Sequence, residues 1–477
     1  MSAAEQEYEA VIGLEIHVQL STATKMFCGC ALSFGEEPNT RTCPVCLGLP
    51  GSLPVANARA VHYGLMIGMA IGSELAPRSI FHRKNYFYPD LPKGYQISQF
   101  DEPLCLGGEL GGVRIHRVHL EEDAAKLVHA GASGRIHASE TSVVDFNRGG
   151  TPLAEIVTEP DVRSAEQAGE FLRLLRTTIR ALGVSDVNME EGSLRCDANI
   201  SIRPVGDPEL GTKTELKNMN SFRYIERGIR AEIERQKALV RAGETVTQET
   251  LHFDPRTEAI TSLRSKEEAH DYRYFPEPDL IPVAITPGML EAARAELPEL
   301  PAAREERFAA LGLSADSARQ LAWRSELGDY FEAALGARDG LSAPAVAIWV
   351  SDLAALIEQD DPADSRVTPA ALGALVGLVD TKTISRSAGR QVLETLIADG
   401  GDPQAIVEAE GLAAVGGEDT LAPIVAAALE ANPDVADKLR GGDMKPIGVI
   451  VGFVMRETKG RADGGEVTRL VREQLGL

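Results

Sequence analysis

An α+β fold is the class this sequence predicts, and three observations carry it. Several segments before about residue 292 alternate apolar and polar side chains with a period of two, the mark of strands with one buried face. Gly-rich turns separate those segments. Beyond ELPELPAARE (Glu296–Glu305), whose two prolines mark a linker, the alternation gives way to Ala-rich helical sequence. The predicted domains are 1–292, rich in strands, 293–405, helical, and 406–477, a helical tail.

The first strand is VIGLEIHVQL, with Ile12, Leu14, Ile16, Val18 and Leu20 on one face and Glu15, His17 and Gln19 on the other. Glu15 and His17 therefore project together. HLEEDAAK (His119–Lys126) and GGTPLAEIVTEPD (Gly149–Asp161) add Glu121, Glu122, Asp123, Glu155 and Glu159 in strand-like surroundings. A helix follows over Ser164–Leu182, opened by the capping pattern S-x-x-Q, with Phe171, Leu172, Leu175 and Ile179 as its apolar stripe. SLRCDANISIR (Ser193–Arg203) alternates strictly, so that Arg195, Asp197, Asn199 and Arg203 line the polar face of one strand. A second helix spans roughly Phe222–Ala242.

A single acid on a strand is as often a solvated charge as a ligand, and a lone histidine is more often structural. Several carboxylates and one imidazole arriving on separate strands, with arginines beside them, make a set suited to Mg²⁺ and nucleotide phosphates together.

Four of the six cysteines fall as Cys28-x-Cys30 and Cys43-x-x-Cys46, with Pro44 and Gly48 shaping the second turn. Two thiolate pairs on tight turns can close a tetrahedron, so the spacing reads as a structural Cys₄ zinc site. Free thiols or a redox pair would not need two pairs so spaced. Of the remaining two, Cys196 falls on the apolar face of its strand.

The chain has 477 residues, long enough for two or three domains. Its 71 acidic against 48 basic residues give a net charge of −23, which argues against nonspecific nucleic-acid binding over the whole surface. Any RNA contact must use local basic patches. No run of about 18 uncharged apolar residues occurs, and MSAAEQEYEA is acidic where a signal peptide would be basic. The expected location is the cytoplasm, with no membrane partner.

In the carboxy-terminal third, helices are expected at Ala302–Leu311, Ser314–Leu335, Ala345–Ile357, Pro369–Val379, Ser385–Ala398 and Pro423–Asn432. From Asp443 onward, Lys445, Arg456, Lys459, Arg461, Arg469 and Arg472 face only five acids. That segment reads either as a solvated helix face or as a contact for an RNA backbone.

Read in order, VIGLEIHVQL, RKNYFYPDLPKGYQISQ, HLEEDAAK, NRGGTPLAEIV, MEEGSLRCDANIS, TELKNMNSF, DYRYFPEPD and GFVMRETKG resemble, over the whole chain, the B subunits of bacterial tRNA-dependent amidotransferases. An archaeal relative carries an inserted domain that this chain lacks. The resemblance implies an amino-terminal antiparallel-sheet cradle related to glutamine synthetase, a helical domain and a tail that contacts tRNA. It also implies the reaction. The side-chain carboxylate of misacylated Glu-tRNA(Gln) or Asp-tRNA(Asn) is phosphorylated by ATP, and ammonia then displaces the phosphate.

Carried over by position, the resemblance implies Mg²⁺ ligands at His17, Glu122 and Glu155, with Glu15 and Asp197 at a second or transient metal position and in catalysis. Lys84, Lys93, Arg195 and Lys217 are candidates for phosphate or acyl-tRNA contact, and each reads equally as a surface charge that serves solubility. Cys28, Cys30, Cys43 and Cys46 match the family's zinc knuckle, which some members lack. Lys445, Arg456, Lys459 and Arg461 form the basic tail.

The chain has no amidase signature with a catalytic lysine, no G-x-x-x-x-G-K-[ST] loop, and no glutaminase setting around Cys105 or Cys196. Ammonia is therefore expected from a partner amidase A subunit, with a small C subunit completing a heterotrimer. Two other classes share part of the pattern: a free-standing glutamine synthetase-like ligase, and a noncatalytic tRNA-binding scaffold.

Overall fold

The structure is a computed structural model and describes residues 6–33, 35–130, 141–219, 221–264, 272–357, 361–414, 418–458 and 460–477. Lys459 of the basic tail and Asp271 of the aromatic motif lie outside the described residues. The chain forms two compact units, 1–300 and 301–477, and is α+β as the alternation predicts.

The first unit is built on a ten-stranded sheet. Its order runs Ala259–Arg264, Thr250–Asp254, Thr214–Met219, Leu194–Pro204, Tyr8–Gln19, Pro152–Thr158, Val113–Glu122, Cys105–Leu106 and Glu74–Leu75, with Glu109–Leu110 paired beside Val113–Glu122. Every pairing is antiparallel except Thr214–Met219 with Thr250–Asp254. Tyr8–Gln19 is central because it is apolar on every second residue: Ile12, Leu14, Ile16 and Val18 are fully buried. Three helices supply apolar residues to the same core: Ala58–Ala70, Ala165–Leu182 and Phe222–Arg241.

The Ala165–Leu182 helix starts as its sequence predicts. Ser164 Oγ accepts from the Gln167 backbone N–H at 3.1 Å, and Gly183 closes the helix in the left-handed region. The Ala58–Ala70 helix was not anticipated. It is apolar nearly all round and so lacks a clean stripe, but Asn57 caps it through the N–H groups of Arg59 and Ala60. Gly64 and Gly68 let it lie close to the strand at Cys105: a Cβ on Gly68 would fall 2.4 Å from the Cys105 sulfur.

The first unit reaches Leu300, past residue 292, because the Pro287–Ala295 helix packs Met289, Leu290 and Ala293 onto the sheet core. The second unit is helical throughout its described residues and has two apolar cores, one from Phe308 to Leu412 and one from Leu421 to Val471. The single helix expected over Ser314–Leu335 is two, Ala315–Trp323 and Ser325–Gly336. Arg324 is extended between them (φ −122°, ψ 93°), which lets both halves turn apolar residues into one core. No helix among the described residues is long and apolar enough to cross a membrane.

Candidate functional site

The face of the large sheet opposite the helices is polar, and its strand register sorts the side chains into rows. In one row Arg195 pairs with His17, His17 with Glu155, and Glu155 with His119. In the next, Asp197 pairs with Glu15 and Glu15 with Val157. Directly opposite residues of antiparallel strands share a face. Pairing therefore joins groups more than a hundred residues apart in sequence.

His17 Nε2 lies 3.4 Å from Glu155 Oε2 and 3.6 Å from Glu121 Oε1. These three residues offer ligand atoms within 4.8 Å of one another. The donor set, one imidazole and two carboxylates at least nine-tenths buried as side chains, suits a divalent cation. His119 Nε2 lies behind it, 3.2 Å from Glu155 Oε2 and 3.7 Å from Glu121 Oε2, while Ser98 Oγ donates to Glu121 at 3.0 Å.

Burial opposes charge on all four of these groups, and their mutual attraction overrides it. His17 titrates above its ordinary value, His119 is pushed up to about 9, and Glu121 and Glu155 are held below the usual carboxylate range. Arg117 Nε sits 3.3 Å from His119 Nδ1, a contact that favours neutral imidazole, but the two carboxylates at Nε2 outweigh it.

Glu122, the acid that the family pattern suggests as a ligand, is turned to the other side of its strand. It pairs with Lys93, accepts from the Ile97 N–H at 2.9 Å, and lines a cavity that also holds Lys25, Cys28 and Cys46. Glu121 takes the place beside His17 and Glu155. The cause is a bulge: Val157 pairs with Arg117 and Thr158 with Ile115, so His116 is the extra residue and the alternation changes phase. Ile115 is buried in the core before the bulge, and Val118 and Leu120 after it. Sequence carried the signal as two successive polar residues, His116 and Arg117, between the two apolar phases.

The other candidates fall around this centre. Burial, then Glu155 and Glu215, raise the Glu15 carboxyl above its ordinary value, while Asn199 Nδ2 donates to it at 2.9 Å. Asp197 accepts from Lys217 Nζ at 3.0 Å, and Lys217 also pairs with Glu215 at 2.9 Å. Burial works against the Lys217 charge, but those two acids hold its titration above the ordinary lysine value. Lys84 behaves alike: burial is outweighed by the charges of Glu121 and Glu155. Arg195 donates to Asp123 at 2.9 Å, and Gln19 Nε2 holds the same Asp123 oxygen at 2.8 Å. Thus Lys84, Arg195 and Lys217 border the acidic face, whereas Lys93 does not join the His17 cluster. His119 is the functional candidate that sequence reading missed.

The sulfurs of Cys28, Cys30, Cys43 and Cys46 also converge within 4.8 Å and could hold a metal ion. Cys46 is pushed down to about 4, first by a hydrogen bond from Cys28, then by the Cys43 backbone and the Lys25 ammonium, against its burial. Lys25 is 1% exposed, with Nζ 3.8 Å from the Cys46 sulfur. Four thiols with an N–H group and a buried cation aimed at one of them fit a thiolate-bound zinc. The remaining cysteines are enclosed: burial pushes Cys105 up to about 12, and Cys196 well above the ordinary thiol value.

In the tail, Lys445 and Arg456 are exposed. Arg461 is occupied, donating to the carbonyls of Thr458 at 3.0 Å and Gly411 at 3.3 Å.

Residues 10–291 match the family described as the GatB/GatE catalytic domain, and residues 329–475 match the GatB domain. The chain is 50% identical to the B subunit of the aspartyl/glutamyl-tRNA(Asn/Gln) amidotransferase of Anaeromyxobacter sp. (strain K), covering 98% of this chain and 99% of the relative. It is also 50% identical to the counterpart of the same name from Frankia casuarinae, over 98% and 96% of the two chains. The one from Crocosphaera subtropica is 47% identical over 98% of each.

Proposed function

The chain belongs to the family of aspartyl/glutamyl-tRNA(Asn/Gln) amidotransferase B subunits, and from that premise we propose that its polar sheet face activates the side-chain carboxylate of a misacylated tRNA for amidation. The substrates are Glu-tRNA(Gln) and Asp-tRNA(Asn), with ATP as co-substrate. The observation that carries this reading is the convergence of His17, Glu121 and Glu155 on one face, bordered by Lys84 and Arg195.

Carboxylate is a poor acyl donor because oxide is a poor leaving group. A carboxylate oxygen of the aminoacyl side chain attacks the γ-phosphorus of ATP, and ADP departs. Ammonia then adds to the acyl phosphate carbonyl, phosphate leaves, and the amide remains after loss of a proton. Phosphoryl transfer is governed mainly by positioning and by charge. A divalent cation held by His17, Glu121 and Glu155 would offset phosphate charge as the substrate carboxylate approaches. Lys84 and Arg195 add fixed positive charge at its edge. Glu15, with its raised carboxyl, and Asp197, with Lys217, bound the side on which a second cation would sit.

Ammonia comes from a partner glutaminase subunit, with a small third subunit joining the two. Of the six cysteines, four form the cluster and the other two are buried with raised thiols, which supports an external ammonia source. The acyl phosphate must be kept from water until ammonia arrives. The first unit acts as a cradle of the glutamine synthetase kind, the Cys₄ cluster holds structural zinc, and residues 406–477 serve as a tRNA-contacting tail. Exposed Lys445 and Arg456 support that last role.

The test is to assemble the chain with its amidase and small subunits and to measure ATP hydrolysis and amide formation on both aminoacyl-tRNAs, with Asp197→Ala as control. Amidation that requires ATP, Mg²⁺ and Asp197 is the expected result. ATP turnover on free glutamate would point to a free-standing ligase. Intact tRNA binding with no ATP turnover would point to a scaffold.

A further inference from the structure

Asp123 follows the two glutamates Glu121 and Glu122 directly in sequence, and its side chain is 4% exposed. Oδ1 accepts from the Ala124 N–H at 2.9 Å, while Oδ2 accepts from Gln19 Nε2 at 2.8 Å and from Arg195 at 2.9 Å. Its main chain is tied down as well: the Asp123 N–H donates to the Thr151 carbonyl, and the Asp123 carbonyl accepts from the Gly150 N–H, each at 2.8 Å. We propose that Asp123 is a positioning residue that grips Arg195 and keeps its guanidinium from closing on the carboxylates of the metal-ligating cluster. The proposal rests on the reading above, in which a cation sits at His17, Glu121 and Glu155 and Arg195 faces the phosphates.

Competition for the guanidinium is the first support. Burial works against the Arg195 charge, and Asp123, then Glu121 and Asp197, favour it. Among the described residues, only Asp123 accepts a hydrogen bond from it. The pull of the acidic face is therefore present but unanswered, and one carboxylate outside the cluster decides where the arginine points.

The second is an unmet donor. Arg195 Nε is buried and has no hydrogen-bond partner among the described residues. A buried N–H without a partner is costly, and a guanidinium free to turn would satisfy it on a carboxylate through its planar fork. The bond from Nη2 to Asp123 holds Arg195 in place despite that cost.

Reach is the third. Arg195 stands directly opposite His17 in strand register, and His17 opposite Glu155. Opposite residues on one face have Cβ atoms about 4.5–5.5 Å apart. The long arginine stem thus spans from its own strand to the cluster with no movement of the backbone, and a released guanidinium would sit where the cation has to bind.

Asp123 could instead merely brace the turn at Gly150 and Thr151, and a double-mutant cycle separates the two roles. Mn²⁺ affinity and the kcat of amidation are measured in the assembled enzyme for Asp123→Asn, Arg195→Ala and the pair. Asp123→Asn is expected to weaken Mn²⁺ binding about tenfold or more and to lower kcat, within the roughly 10–100-fold range of supporting residues at metal sites. Adding Arg195→Ala should restore most of the Mn²⁺ affinity, a gain at least about fivefold larger than the same substitution gives in the native background. The kcat should stay low, since the guanidinium itself is gone. Equal gains in Mn²⁺ affinity in the two backgrounds overturn the proposal, because loss of a charge acts alike in both whereas a released arginine blocks the site in only one. Native Mn²⁺ affinity in Asp123→Asn overturns it as well. If Asp123→Asn does not fold, Asp123→Glu, which keeps the charge and shifts it by one methylene, must show the same dependence on Arg195. Arg195→Ala with a native kcat would remove the phosphate-facing role of Arg195, an outcome distinct from absent coupling in Mn²⁺ binding.

Discussion

His17 and Glu155 stand opposite each other on neighbouring antiparallel strands, with Nε2 3.4 Å from Oε2, and His119 approaches the same Glu155 oxygen from the next strand at 3.2 Å. The two imidazoles bracket a carboxylate that alone would be costly to bury. Glu121 also spans the two, with Oε1 3.6 Å from His17 Nε2 and Oε2 3.7 Å from His119 Nε2.

The first prediction separates the two adjacent glutamates. Glu121→Gln removes a group from the His17 cluster and should weaken Mn²⁺ binding and amidation by at least about 100-fold, since even supporting residues of metal sites are worth roughly 10–100-fold. Glu122→Gln, which loses its pairing with Lys93, should leave Mn²⁺ affinity near the wild-type value. Equal Mn²⁺ loss in both variants would contradict the placement of the ligands.

A second prediction concerns pH and metal. Burial opposes the His17 charge, but the hydrogen bond and charge of Glu155, with Glu121, raise its titration above the ordinary histidine value. A cation needs the neutral imidazole, so binding must release that proton. Mn²⁺ affinity should therefore climb as pH rises from about 6 to 8. A flat profile across that range would remove His17 from the coordination sphere.

His119 gives a third, in the metal-free protein. Its folded value of about 9 exceeds the unfolded histidine value of about 6.5, so its contribution to stability is complete below the lower figure and lost as pH rises through the higher one. The urea midpoint of the first unit's unfolding should fall between pH 7 and 9.5. His119→Gln should be less stable at pH 7 and show a shallower fall; an unaltered slope would mean that His119 does not titrate as described.

Much of this site was legible in the chain, and the limit has a physical cause. Alternation in VIGLEIHVQL and SLRCDANISIR put Glu15 with His17 and Arg195 with Asp197, because side-chain direction in a strand is a local property. Which of Glu121 and Glu122 faces His17 depends on the bulge at His116, a matter of cross-strand register that sequence marks only by two adjacent polar residues. His119 was overlooked because its closer acid partner, Glu155, is brought to it only by cross-strand pairing. The Ala58–Ala70 helix escaped notice because a helix apolar on most sides has weak periodicity, and the Arg324 break because one extended residue leaves little trace in composition.

The Cys₄ cluster yields a fourth prediction. Cys43→Ser should reduce zinc to well under one equivalent per chain and lower the thermal midpoint by several degrees, at about 2–4 °C for each kcal/mol in a domain of this order. Basal aminoacyl-tRNA KM should stay the same, because the sulfurs form a group of their own that shares no residue with the His17 cluster. Full zinc content in the variant would show that the metal is not held by these thiolates.

The tail supplies the fifth. The second unit holds an apolar core of its own from Leu421 to Val471, and on that segment Lys445 and Arg456 are exposed whereas Arg461 engages two backbone carbonyls through its guanidinium. Phosphate contacts contribute through released counterions, so each lost contact should reduce the slope of log affinity against log salt by about 0.7–0.9. Lys445→Glu with Arg456→Glu should therefore raise the aminoacyl-tRNA KM several-fold and flatten its salt dependence, with the ATP KM unchanged. Arg461→Ala should instead lower thermal stability, because it unties Thr458 and Gly411. If charge reversal at Lys445 and Arg456 leaves both KM and salt slope intact, the basic segment is a solvated helix face, and tRNA must be held elsewhere.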